Sequence, residues 1–294
     1  MPRIAVEDLN FYYQQTGEGP DVVLIHGATG NMAIWPLIDL IDNLAADFRV
    51  TYYDLRGHGY SDTPPTGYTS ADMAGDLYKL QQTLGLEPSY LVGHSFGAVI
   101  AMHAAVLHPE MVKGVVVSDP FFPALHEMEA DITDWVGWES YREQAARHGL
   151  EVSPDDWFDV DHVLQQAATL TPERRKMFVD ELGEPALERL VRLAATTCGK
   201  DTGRVAGLSQ EKILSVTQPV LGLFGENSPF LATCHYLEDH LPDCKTAFVP
   251  DAEHLAHKEN PEQFVALVQK HLRQMAGMTD GWTTAGAETA GGNS

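Results

Sequence analysis

Positive charge is the scarcest feature of this 294-residue chain: 19 Lys and Arg stand against 42 Asp and Glu, a net charge of -23 with His neutral. Such a surface repels phosphate backbones and anionic lipid, which argues against nucleic-acid binding and membrane adhesion. It also sets an unfavourable long-range field against an anionic substrate, so a neutral or cationic one is expected. Cysteine is sparse too. Cys198, Cys234 and Cys244 lack metal-type spacing, and an odd number argues against a disulfide framework, so all three are expected to be reduced and incidental. Long apolar runs are missing. No window of 18 residues suits a bilayer span, and MPRIAVEDLNFYY lacks the basic-then-apolar profile of a signal peptide, so a cytoplasmic location is expected.

What is present describes an ordinary globular protein, with 44% hydrophobic residues, 25 Gly and 17 Pro. Residues 9–15 alternate like an edge strand, while DVVLI at 21–25 is a continuous apolar run suited to a buried one. RVTYY at 49–53, residues 90–92 and VKGVVV at 112–117 continue the series. Helical spacing fills 34–45, 70–84 and 96–107 between them. Strand and helix in this alternation predict an α/β fold, a doubly wound, mostly parallel sheet. From 133 to 215 only helical patterning appears, with breaks at Ser153-Pro154, Thr171-Pro172 and Gly183-Glu184-Pro185. The first two breaks read as N-caps followed by proline in the first helical turn. Strands return at PVLGLF and KTAFV, and a last helix runs from Pro261 to about Met275. The expected organisation is a core of 1–120 and 216–275, an inserted helical cap at 121–215, and a disordered Gly/Ala/Thr tail at 276–294.

One constellation carries chemistry. Gly93-His94-Ser95-Phe96-Gly97 follows a buried strand and opens a helix, a setting that lifts a serine above the carboxyl end of a sheet. The pattern alone is weak, and a capping serine on a plain strand–helix turn would also produce it. A serine hydroxyl needs a base. His254 lies after the last strand and before the last helix, at the same end of a parallel sheet, with His257 as its nearest rival. His26-Gly27-Ala28-Thr29-Gly30 can bend sharply after DVVLI, and the N–H groups of Ala28 and Phe96 are the expected oxyanion donors.

These stretches resemble the α/β-hydrolase fold, through HGATG, DLRGHGYSD at 54–62, VGHSFGA at 92–98 and HLAHKENPEQF at 254–264. The resemblance implies a helical cap over the site and structural roles for Arg56 and Asp62. The chain departs from many relatives in the turn after the seventh strand, where Gly225-Glu226-Asn227-Ser228 puts Ser228 at the acid position. Asp119, ending VVVSD, is then the expected triad acid, as in zearalenone-type lactonases and some haloalkane dehalogenases, with Glu226 or a bare Ser95–His254 dyad as alternatives. On that reading Ser228 has no part to play.

The expected activity is hydrolysis of a carboxylic ester or lactone by Ser95, His254 and Asp119, with no metal and no organic cofactor. Trp135, Trp138, Trp157 and Phe121, with Phe122, Tyr141 and Phe158 nearby, suit a sizeable, apolar, neutral small-molecule substrate. Two other readings stand beside it: cofactor-free proton abstraction, as in carbon–carbon hydrolases or dioxygenases of this superfamily, and a non-catalytic ligand-binding member. Epoxide and haloalkane chemistry is disfavoured, since those relatives carry an aspartate where Ser95 stands. Formation of a homodimer is left open.

Overall fold

The computed structural model describes residues 3–278. The predicted tail therefore lies, from 279 onward, outside the described residues. Eight strands form one sheet: β1 (Arg3–Val6), β2 (Leu9–Thr16), β3 (Asp21–Ile25), β4 (Arg49–Tyr53), β5 (Ser89–His94), β6 (Val112–Ser118), β7 (Val220–Gly225) and β8 (Cys244–Val249), in the order β1-β2-β4-β3-β5-β6-β7-β8. β2 pairs antiparallel with both β1 and β4, and every later pairing is parallel. The doubly wound α/β expectation holds. The strand at 9–15 is not the edge, however, because β1 covers it.

The helices are α1 (Leu40–Ala45), α2 (Ser70–Leu84), α3 (Phe96–Leu107), α4 (Trp138–Arg147), α5 (Val160–Ala168), α6 (Pro172–Leu182), α7 (Glu184–Ala194), α8 (Cys198–Thr202), α9 (Gln210–Leu214), α10 (Leu231–His240), α11 (Ala256–Glu259) and α12 (Pro261–Met275). Side chains alternate along each central strand. Val23, Ile25, Leu91, Val115 and Val117 join a core with α2 and α3, while Val22, Leu24, Tyr90, Val92 and Val116 join one with α1 and α12. Both faces are thus buried, as parallel strands require.

Six helices, α4 to α9, lie between β6 and β7 with no intervening strand. Leu164, Phe178, Leu187, Leu190 and Leu193 from α5, α6 and α7 belong to the same core as α2 and α3, so this segment packs continuously onto one face of the sheet. Thr171 caps α6 through Arg174 N, with Pro172 in its first turn, as its sequence predicts. Ser153-Pro154 behaves differently. Ser153 N–H donates to Asp156 Oδ1 at 2.7 Å, and the helix begins only after Asp159, whose carboxylate accepts from the N–H groups of Asp161 and His162. The predicted helix at 34–45 also breaks up. Pro36 cannot donate to a preceding turn and Asp39 is left-handed at φ 58°, so two 3₁₀ turns precede the short α1.

At the amino ends of the central strands, buried Asp21 accepts from Arg49 Nε at 2.5 Å, Arg49 Nη2 at 2.6 Å and Glu87 N at 2.8 Å. One carboxylate thereby ties β3, β4 and the approach to β5. Replacing Arg49 with Met leaves that buried charge without its cation. A loss of about 1–3 kcal/mol is expected, the half-exposed guanidinium holding it below the cost of a fully buried pair. It would be measured as a lowered midpoint of urea unfolding.

Candidate active site

Ser95 occupies the turn between β5 and α3 at φ 53° and ψ -122°, a backbone state an L-residue rarely adopts and one costing about 1–3 kcal/mol. Its glycine neighbours explain how the turn closes. A Cβ on Gly93 would lie 2.3 Å from Gly97 O, and one on Gly97 would lie 2.2 Å from Ile25 O. Ser95 N–H donates to Ser118 O at 2.8 Å, which sets the turn against the end of β6. As the first residue of α3, Phe96 has an N–H with no helical acceptor. Among the described residues the Ala28 N–H makes no hydrogen bond either.

The loop carrying Ala28 is held from beneath. His26 Nδ1–H donates to Gly27 O at 2.8 Å and its Nε2 accepts from Leu55 N at 3.1 Å, which fixes the tautomer and joins HGATG to the RGHG turn. That turn is itself braced. Asp54 accepts from the N–H groups of Met32 and Tyr60, Arg56 pairs with Asp76 through two nitrogens, and Asp62 accepts from Asn10 and Arg3. Arg56 and Asp62 thus brace the loop and touch none of the candidate catalytic groups.

Asp119 follows β6 directly, is left-handed at φ 45° and is fully buried. Its Oδ2 accepts from Gly225 N at 2.9 Å, and its Oδ1 accepts a short hydrogen bond from Ser228 Oγ. Ser228 Oγ in turn accepts from Phe230 N at 3.0 Å. This corrects the expectation that Ser228 has no part: with its carboxylate gone, the turn after β7 supplies a hydroxyl that holds the carboxylate coming from β6. Burial pushes the Asp119 carboxyl well above its ordinary range, against the two donors that favour its ionised form. Glu226, the alternative acid, is exposed and accepts only from Asp251 N, at 3.3 Å.

His254 lies in the loop after β8, and that loop is pressed onto the end of β7. A Cβ on Gly225 would meet Glu253 O at 2.2 Å. His94 Nε2 bonds His254 O at 2.9 Å, so the residue before Ser95 braces the loop that carries His254. Sequence reasoning gave His94 no role, and a side chain under a tight turn leaves no pattern by which to find one. The His254 Nδ1 is buried without a hydrogen-bond partner. Burial, then the neighbouring His94 and Lys258, holds its pKa well below the usual histidine value. Among the described residues no hydrogen bond joins Ser95 Oγ to His254, or His254 to Asp119. The three residues share one rim of the sheet but are not linked. Hydrogen bonds of this kind often tighten only in the substrate complex. The rival His257 is buried beneath, against Trp35, His94 and Phe264.

Aromatic rings crowd the His254 imidazole. Phe158 and Phe230 meet it edge-on at 5.3 and 5.4 Å, and Phe121 and Trp157 pack behind them at 5.1 to 5.7 Å. Trp135 joins Trp157 at 6.2 Å, and its Nε1–H donates to Asn227 O at 2.7 Å. Trp138 is buried, its ring packs on Tyr141 and its backbone N–H donates to Trp135 O at 3.0 Å, a packing position. Phe230 went unread in the sequence, where nothing about the turn after β7 marks it.

A family model described as the alpha/beta hydrolase fold matches residues 20–213. The chain belongs to that family. It is 28% identical over 265 residues to the 2-(acetamidomethylene)succinate hydrolase of Mesorhizobium japonicum, covering 88% of this chain and 90% of that one. It is also 28% identical over 264 residues to the sn-1-specific diacylglycerol lipase of Mus musculus, covering 86% and 81%. The enol-lactonase of Burkholderia xenovorans shares the fold, with a TM-score of 0.66 at 20% identity, over 92% of this chain and 99% of that one. Among the described residues of this α/β-hydrolase no helix is long and apolar enough to cross a membrane, and no cluster of His, Cys, Asp or Glu is arranged to hold a metal ion.

Burial makes the histidines of this site a liability in acid. His26 and His94 are held down at about 4 and His58 at about 3, in each case chiefly by burial. Below the ordinary value of 6.5 the unfolded chain binds protons that the native state refuses. Stability is therefore full above about pH 6.5 and falls as the pH drops toward 4, by up to about 1.4 kcal/mol per pH unit for each such histidine. Thermal unfolding scans should show a Tm that declines from pH 6.5 downward, whereas a flat Tm to pH 5 would contradict these shifts.

Proposed function

We propose that the protein is a serine hydrolase that cleaves a carboxylic ester or lactone of middling to large size through an acyl-enzyme on Ser95. The observation that carries this reading is the strained left-handed turn that presents Ser95 at the carboxyl end of β5, beside the free N–H groups of Phe96 and Ala28. His254 takes the Ser95 proton as Oγ attacks the carbonyl carbon, and the negative oxygen is held by those two N–H groups. The imidazolium so formed is stabilised by Asp119, whose orientation Ser228 and Gly225 maintain. His254 then gives the proton to the leaving alcohol, and water repeats the sequence on the acyl-enzyme, releasing the acid. The helical segment 121–215 acts as a cap, and its Trp157 and Phe158, with Phe121 and Phe230, supply an apolar wall for the substrate.

Because its relatives span several chemistries, carbon–carbon or other proton-abstraction chemistry on the same residues is the reading to be separated from this one. Ser95→Ala separates them. Ester hydrolysis should fall by about 10³-fold or more, and labelling by a fluorophosphonate, read as a mass shift on the intact protein, should vanish. A variant that keeps most of its turnover would refute the acyl-enzyme.

Asp119→Asn should lower kcat by about 10²- to 10⁴-fold, because an amide cannot stabilise the imidazolium. Ser228→Ala should lower kcat by about tenfold with KM little changed, since it frees one carboxylate oxygen but keeps the charge. An unaffected Asp119→Asn enzyme would mean that the acid lies elsewhere.

A further inference from the structure

His94 is the last residue of β5, one step before Ser95, and is buried in register with Ser118 at the end of β6. Each side of its ring touches a different part of the rim. Nε2 lies 2.9 Å from the carbonyl oxygen of His254. A carbonyl only accepts, so Nε2 carries the proton. Burial holds the ring at about 4, so at neutral pH it is uncharged and Nδ1 is unprotonated. Nδ1 faces the loop of the Ala28 donor, where a Cβ on Gly27 would lie 3.2 Å from it and 3.1 Å from Ser95 Cβ. Against the same ring, His257 stands edge-on at 4.3 Å and is itself wedged against Trp35 and Phe264. The loop after β8 has other supports, but they stop short of the histidine. Ala252 O accepts from Asn227 N at 2.8 Å, and Glu253 N donates to Glu259 Oε2 at 2.6 Å. Among the described residues no donor except His94 reaches the His254 carbonyl.

We propose that His94 is a positioning residue of the reaction: through the His254 carbonyl, its Nε2–H sets where that imidazole stands relative to the Ser95 hydroxyl. This rests on the acyl-transfer reading above and adds to it the group that keeps base and nucleophile in register. The need for such a group is geometric. His254 sits on an irregular loop two residues before α11, and a misplacement of about 1 Å between reacting groups can cost about 100-fold in rate. A donor rooted in β5 removes that freedom, because His94 and Ser95 are neighbours on one turn and move together. Gly27 on the other side of the ring brings the loop of the Ala28 donor into the same contact. The effect belongs to kcat. The rings of the aromatic wall pack on His254 and not on His94, so substrate binding has no reason to change when the bond is lost. The competing account makes His94 a space-filling ring between His257 and His254, with the hydrogen bond incidental.

Two substitutions separate the bond from the packing. His94→Phe keeps a ring and loses the N–H, whereas His94→Gln loses the ring and can place an amide N–H at the same reach from Cα. With p-nitrophenyl butyrate as substrate, His94→Phe should lower kcat by about 100-fold and leave KM within about twofold. His94→Gln should restore kcat to within about fivefold of the wild type. An unchanged kcat in His94→Phe, or a folded His94→Gln enzyme as slow as His94→Phe, overturns the proposal and leaves the ring as packing. Should His94→Phe fail to fold, His94→Leu is read by the same criteria. A second readout needs no turnover. The ¹⁵N-edited imidazole spectrum of the wild type should contain an Nε2–H tautomer that disappears when His94 is replaced, and a ring protonated on Nδ1 instead overturns the proposal whether or not His94→Gln folds. A wild type that neither hydrolyses the ester nor takes a fluorophosphonate on Ser95 would sink the acyl-transfer reading, and the spectrum would still report the bond to His254. Normal labelling and hydrolysis with an unaffected His94→Phe enzyme would sink this proposal alone.

Discussion

The site depends on one strained turn. Ser95 is held in a left-handed conformation because β5 ends against α3 so closely that neither Gly93 nor Gly97 has room for a side chain. The strain is sustained by what the turn is packed between: Ser95 N–H bonds to the end of β6, and the Gly97 backbone lies on the last carbonyls of β3. The same closeness gathers the remaining parts. The ends of β3, β5 and β6 must meet for the turn to exist, and they bring the Ala28 loop and Asp119 to the nucleophile. His94 extends the arrangement to the His254 loop by holding a backbone carbonyl, so two adjacent residues of the turn present the Ser95 hydroxyl and brace the loop of His254.

Electrostatics gives the site a resting state. His254 and Asp119 are both buried, and burial drives each toward its neutral form, the imidazole deprotonated and the carboxyl resistant to ionisation. Two donors work against this at Asp119, and their direction matters: Gly225 N–H and Ser228 Oγ–H both favour the carboxylate. In the proposed reaction a carboxylate so held offers its remaining lone pairs to the imidazolium that forms when Ser95 gives up its proton. Among the described residues His254 Nδ1 is buried without a partner, a vacancy that the proposed pairing with Asp119 would fill.

Much of this was legible in the sequence, for reasons tied to particular residues. The alternation of apolar runs and helical spacings exposed a doubly wound, mostly parallel sheet, because buried parallel strands need apolar side chains on both faces. Thr171-Pro172 exposed a helix start, since capping and a missing N–H are local properties. Ser153-Pro154 had the same signature and failed, because Asp156 captured the Ser153 N–H in a turn and Asp159 took the cap. The strand at 3–6 was missed because four residues carry too little periodicity. In the site, Ser95 and His254 stood out through spacing and setting. Ser228, Phe230 and His94 did not, because each acts through a contact between segments far apart in the chain.

Charge makes the same point about scale. A net charge of -23 describes the field several Debye lengths from the surface, where it bears on nucleic acid, membranes and encounter rates. It does not describe a cleft. Where α7 crosses the loop after β3, Arg189 Nε donates to Thr29 O, so at contact range a cation lies against the Ala28 loop in a chain that is acidic overall.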